Sequence, residues 1–230
     1  MKIIPLGHAS LRIKIEDQIL LIDPWLEGNP AFPDDRRADA LDGVTAIFLT
    51  HGHFDHAAEI QAIADETGAH IYAIVELASW ISETLKVEAT GFNKGGTITL
   101  GEVKVTMVNA THSSSLPLSD KLIYAGSEAG YMVSGDGHTI YISGDTDVMA
   151  DMQVFNALHA PDIGILCAGG HFTMDMHRAA FAARTFFNFK TVIPYHYKTF
   201  PVLAQSADEM IKHLPDVQVI EPEPMVAIEM

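Results

Sequence analysis

The stretch Thr45-Ala46-Ile47-Phe48-Leu49-Thr50-His51-Gly52-His53-Phe54-Asp55-His56 decides how this chain is read. Its opening, Thr45 to Leu49, is a short apolar run with the character of a buried strand. The segment from His51 to His56 then sets three imidazoles and a carboxylate within six residues. Beyond it, Ile60, Ile63 and Ala64 recur at helical spacing between Ala57 and Thr67, and Gly68 supplies a C-terminal stop. The polar cluster therefore occupies a loop between a buried strand and a helix. Open α/β proteins bind their ligands beyond strand ends of this kind.

Imidazole and carboxylate suit zinc and similar divalent ions. His51 and His53, two apart on an extended loop, point the same way and can grip one ion. Asp55 and His56 follow the bend and reach a neighbouring position. Four ligands from so short a segment exceed what one ion takes, so the crowding implies two ions. A single HxH is most simply a solvated polar loop. That reading weakens as each further ligand falls into place.

The HGHFDH segment after a TAIFLT strand resembles the HxHxDH motif of the metallo-β-lactamase superfamily. Later pieces follow in order, each just past an apolar run. His112 comes after Val103–Val108, Asp145 after Thr139–Ile142, and His196 after Thr191–Pro194. The opening Gly7-His8-Ala9-Ser10 and the closing His196-Tyr197-Lys198-Thr199-Phe200-Pro201 look like a bacterial branch of metal-dependent hydrolases related to L-ascorbate-6-phosphate lactonase. The resemblance covers nearly the whole chain. It implies a four-layer αββα sandwich, two mixed sheets face to face with helices outside and metals at one edge. It also implies a ligand set. His51, His53 and His112 hold one ion; Asp55, His56 and His196 hold the other; Asp145 bridges, at a metal separation of ~3.5–4 Å. In that family the hairpin loop carrying His8 lies beside the metal cleft.

The 230 residues carry 14 Lys and Arg against 30 Asp and Glu, a formal charge of −16. Such a surface repels nucleic acid, whose binding needs cations against phosphates. A small anionic substrate stays compatible, because bound metals set the local field. Gly and Pro are scattered as turns with no composition break, so residues 1–230 read as one domain. The lone Cys167, in the apolar run Ile163–Ala168, reads as a core residue. No basic and apolar leader precedes the first strand, and no apolar run is long enough to span a bilayer. The expectation is a cytoplasmic protein acting on a small molecule, with no membrane partner. Homo-oligomerisation is left open.

Other elements follow from local pattern. Strands are expected at Lys2–Leu6, Leu11–Ile15, Ile19–Ile22, His70–Ile74, Thr97–Leu100, Val103–Val108, Tyr131–Ser134, Thr139–Ile142 and Asp162–Ala168, with further ones near Val217–Ile220 and Met225–Ile228. Helices are expected at Glu76–Lys86, Met176–Phe187 and Ser206–Leu214. Trp25 to Gly43 reads as a long loop in which Trp25 and Phe32 either wall the substrate or pack on the body. Asp23, at a strand end, either orients a ligand histidine or merely ends the strand. Asp147 reads as a helix cap. His171, on the loop after Gly169-Gly170, faces the crevice by the strand-end argument, where it would contact substrate or protonate a leaving group.

The function expected is a metal-dependent hydrolase. A metal-bridging hydroxide, with Asp55 as an additional proton acceptor, would attack an ester, lactone or phosphodiester. Zinc is the default ion for an imidazole-rich site without Cys; manganese, iron and nickel also suit it. Position 53 is His, not the carboxylate that the family's di-iron oxidoreductases carry, which disfavours redox chemistry. The alternative is a sensor or binding protein that keeps the metals with little activity.

Overall fold

A computed structural model describes residues 1–118 and 120–230. The first half opens with a meander of three antiparallel strands, β1 (Lys2–Gly7), β2 (Ser10–Ile15) and β3 (Gln18–Ile22). Parallel strands then extend the sheet: β4 (Ala46–Phe48), β5 (His70–Ile74) and β6 (Ala89–Phe92). Parallel strands covered on both faces carry unbroken apolar runs, and all three residues of β4 are buried. The second half repeats the plan. Strands β7 (Thr97–Leu100), β8 (Val103–Asn109), β11 (Ala129–Gly135) and β12 (His138–Ile142) are antiparallel neighbours. Next to β12 run β13 (Ile163–Cys167), β14 (Thr191–Tyr195) and β15 (Gln218–Val219) in parallel. Two strands between β8 and β11, β9 (Ser115–Leu118) and β10 (Lys121–Tyr124), form a separate ribbon. The final strand β16 (Ile228–Glu229) returns to pair with β1.

The two seven-stranded sheets face each other across the core. Tyr131 of β11 shows the contact. Its ring meets Phe48 edge-on at 5.6 Å and stacks with Phe92 at 6.1 Å. Its hydroxyl donates to the Leu49 carbonyl, which closes the seam beside the His51–His56 segment. Helices accompany the parallel strands: α1 (Arg37–Leu41), α2 (Phe54–Ala57), α3 (Ile60–Thr67) and α4 (Val75–Trp80) in the first half, α5 (Asp151–His159), α6 (Met176–Phe186) and α7 (Asp208–His213) in the second.

Several expectations change. The helix expected over Ala57–Thr67 is broken: α2 starts earlier and carries Asp55 and His56 on its single turn, and α3 begins afresh at Ile60. Trp25–Gly43 is not wholly loop, since Asp34–Arg36 forms a 3-10 turn and α1 follows. The helix at Glu76–Lys86 begins at Val75 and relaxes into a π-helical turn over Ile81–Leu85. Asp147 caps no helix; α5 starts four residues later, and both Asp147 carboxylate oxygens instead accept from Arg178 Nη1, at 2.7 Å each. The strand near Met225–Ile228 shrinks to the short β16. Strand β6 and the β9–β10 ribbon had not been expected. Among the described residues no helix is long and apolar enough to cross a membrane.

Candidate metal centre

The seven expected ligands come from loops at the C-terminal ends of β4, β8, β12 and β14, and from the first turn of α2. They converge. One group is His51, His53 and His112, whose ligating atoms lie within 4.8 Å of one another. His51 Nε2 and His53 Nδ1 are 2.9 Å apart, and the His112 ring stands edge-on to both. The second group is Asp55, His56 and His196, with His8 beside them. Asp55 Oδ2 is 3.9 Å from His56 Nε2 and 3.6 Å from His196 Nε2. Asp145 lies between the groups. Its Oδ2 is 3.0 Å from His196 Nε2, 3.5 Å from His56 Nε2 and 3.7 Å from His112 Nε2.

Backbone shape puts these atoms there. Gly144, just before Asp145, has φ +62°, and a Cβ there would sit 2.2 Å from the Ala129 carbonyl. Only glycine fits. Asp23, His8 and His196 adopt the left-handed region without being glycine, at φ 47°, 53° and 58°. Such strain persists where surroundings over-determine it, and here the His196 N–H donates to the His8 carbonyl at 2.9 Å. That bond joins the first hairpin of the chain to the last ligand loop.

Asp23 sets the orientation of two of these imidazoles. Its Oδ1 accepts the Thr50 N–H at 2.7 Å, and its Oδ2 accepts the Thr50 hydroxyl at 2.6 Å. The same Oδ2 lies 2.8 Å from His56 Nδ1. Because the Thr50 hydroxyl donates to Asp23, its oxygen is left to accept from His51 Nδ1, 3.0 Å away. Both imidazoles are thereby held with Nε2 directed into the centre. His8 acts on a third ligand. Its Nε2 donates to Asp55 Oδ2 at 2.9 Å, and its Nδ1 lies 2.9 Å from the Thr199 hydroxyl. Burial, outweighing the pull of Asp55, brings its pKa down to about 4, so the ring is neutral at pH 7.

The residues fit a bound cation. His56 Nε2, His196 Nε2 and Asp145 Oδ1 are fully buried and have no hydrogen-bond partner. An unpaired buried polar group costs about 1–3 kcal/mol, and native proteins avoid clustering several. The charges point the same way. Burial disfavours a charged His56, yet Asp145 and Asp23 raise its pKa well above the ordinary imidazole value. His196 likewise rises, against burial, to about 9 through Asp145 and Asp55. Burial alone would push Asp145 up, but His196 and His56 hold its carboxyl well below the carboxylate range. This negative field retains protons on two imidazoles where cations would otherwise sit. His51, His53 and His112 go the other way, lowered chiefly by burial, and are neutral donors.

The centre forms the floor of a cavity of about 580 Å³. Asp55, His53, His112, Asp145 and His196 line its base, with Ser113 and Ser115 at one side. Phe54, Pro117, Leu122, Phe172, Phe200 and Val202 form the walls. Trp25 does not line it; buried, it stacks with Phe200 and meets Phe54 edge-on, backing the wall. Phe32 is core.

One expected site residue lies elsewhere. His171 is exposed and lines a separate surface depression with Asp147 and Arg178. The Gly169-Gly170 turn explains this. A Cβ at Gly169 would lie 2.3 Å from the His196 carbonyl, so the backbone itself fills the space beside the centre. The next residue, Phe172, reaches the cavity in its place. Thr50, Thr199 and the apolar wall carried no signal in the sequence beyond their nearness to the motif.

Comparison with known proteins agrees with this architecture. The family model for the β-lactamase superfamily domain matches residues 18–197. A UPF0173 metal-dependent hydrolase of Dinoroseobacter shibae is 63% identical over 230 residues, covering all of both chains. Another, from Paracoccus denitrificans, is 58% identical over 228 residues and 99% of each chain. Among solved structures, the metallo hydrolase Igni18 of Ignicoccus hospitalis is similar at a TM-score of 0.83 and 29% identity, over 100% of this chain and 98% of that one. The chain belongs to the β-lactamase superfamily, alongside the UPF0173 metal-dependent hydrolases.

Proposed function

We propose that the protein is a two-metal hydrolase of small esters or lactones, with zinc as the favoured ion. The observation that carries this is the convergence of His51, His53, His112, Asp55, His56, His196 and Asp145 on one floor, with buried ligand atoms that have no protein partner. His51, His53 and His112 would hold one ion, Asp55, His56 and His196 the other, and Asp145 both. Bound there, divalent ions supply Lewis acidity and bring the pKa of water from about 16 towards 7.

The chain's own groups do the rest. Asp23 and Thr50 keep two imidazoles in the ligating tautomer. His8 holds Asp55 Oδ2 in place. The Ser113 and Ser115 hydroxyls line the floor's edge, within the same cavity as the ligands, and can donate to a substrate oxygen. The apolar walls exclude bulk water, which strengthens every charge interaction inside.

Phosphodiesters and phosphorylated lactones find less support. Among the described residues no Lys or Arg lines the cavity. Arg12, Lys94 and Lys198 are engaged elsewhere: Arg12 donates to the Ala40 and Asp42 carbonyls, Lys94 to Asn109 and Lys198 to Glu221. The test is a panel of lactones, carboxylic esters and 4-nitrophenyl phosphodiesters given to zinc-loaded protein. Ester or lactone turnover that a chelator abolishes and zinc restores supports the reading. Turnover of nothing in the panel by fully loaded protein contradicts it and favours a sensor.

A further inference from the structure

Among the described residues eleven large apolar side chains are exposed, and four of them, Phe54, Leu122, Phe172 and Val202, stand around the mouth of this one cavity. Exposed apolar residues scattered singly are ordinary, whereas a contiguous set marks a binding surface. These four arrive from separate places: the turn α2, the ribbon strand β10, the loop after Gly169-Gly170 and the loop after His196. Leu122 is 75% exposed although it lines the cavity, so it overhangs the opening. The wall below continues apolar through Pro117 and Phe200 to the ligand floor.

We infer that the substrate carries an extended, uncharged apolar chain, which lies along this rim while its ester or lactone carbonyl sits on the floor. The inference rests on the hydrolase reading above and adds the substrate class. A chain is favoured over a polar head because the rim is continuous with the reacting end and, among the described residues, no Lys or Arg lines it. The cavity volume falls in the range of small-molecule sites. Chain length then becomes the specificity variable, and Leu122 a residue that sets it.

The experiment is a series of 4-nitrophenyl esters, acetate to decanoate, with zinc-loaded protein. The expected result is a kcat/KM that climbs by about two- to fourfold per methylene until the rim is filled. Leu122→Asp flattens the climb, while Leu158→Asp, at an exposed position on α5 outside the cavity, keeps it. Calorimetry gives a second readout: octanamide, whose amide bond is far less reactive than an activated ester, binds the loaded protein more tightly than acetamide, and Leu122→Asp erases the difference. Measurable turnover that is flat with chain length, with equal binding of the two amides, overturns the inference and leaves the hydrolase reading standing. Loss of all turnover with chain-dependent amide binding intact overturns the hydrolase reading instead. A solution dimer that becomes monomeric in Leu122→Asp, with no chain dependence in either form, assigns the rim to a second copy and overturns the inference.

Discussion

Asp23 serves two imidazoles with one carboxylate, His56 directly and His51 through the Thr50 hydroxyl. Partners of metal-bound histidines typically contribute 10–100-fold in metal affinity. Asp23→Ala is therefore expected to weaken zinc binding by that order, measured by competition with a chromogenic chelator, and an unchanged affinity would remove Asp23 from this role. His196 gives a second prediction at this scale. In the metal-free chain its pKa is raised to about 9, so the ring is protonated at pH 7. Ligation needs the proton gone. Loading zinc at pH 7 should release protons, seen as buffer-dependent heat in calorimetry, and apparent affinity should fall as pH falls. Heat that does not vary with buffer would contradict it.

The strands that aim the ligands are tied at their far ends. Asp162, just before β13, accepts the Thr139 N–H at 3.0 Å and pairs with His138 Nδ1 at 2.8 Å, which binds the start of β12 to the start of β13. Burial pushes Asp162 up, but these bonds hold its carboxyl below the usual range. A depressed carboxylate stabilises the fold above its unfolded pKa of about 3.9 and loses that contribution as pH falls through the folded value. Asp162→Asn should thus cost about 1 kcal/mol at pH 7, with the gap from the parent closing towards pH 3 in urea melts. A gap that persists at pH 3 would place the effect in packing. At this scale much was readable from the sequence. Apolar or alternating runs bounded by turn residues mark β1 to β5, β7, β8 and β11 to β14; β4, β13 and β14, buried at every residue, have to be apolar, whereas the edge strand β7 shows by its alternation. The β9–β10 ribbon escaped because it belongs to neither sheet, with Leu116 turned to the core and Leu122 to the cavity. Side-chain direction on glycine-rich loops escaped too. The position of His171 past a strand says where its Cα lies, and the Gly169 contact with His196 decides where its ring goes.

For the whole molecule, two halves built alike bring ligand loops from both sheets to one end. The His8–His196 backbone bond and the Tyr131–Leu49 contact cross between them. Those links tie the two sheets together beside the centre, where Asp145 lies between the two groups. The convergence of these seven side chains was legible because each lies on the loop or turn that follows an apolar run, so pattern and chemistry coincide. The cavity was not, since its wall gathers residues from four segments with no shared period. Metal content, measured by elemental analysis on protein purified without added metal and then saturated with zinc, tests the central claim most directly. About two equivalents per chain are expected, falling to about one in each of His112→Ala and His196→Ala while both stay folded by circular dichroism. One equivalent or none in the parent chain, or two retained in both variants, would contradict a paired centre built from these seven side chains.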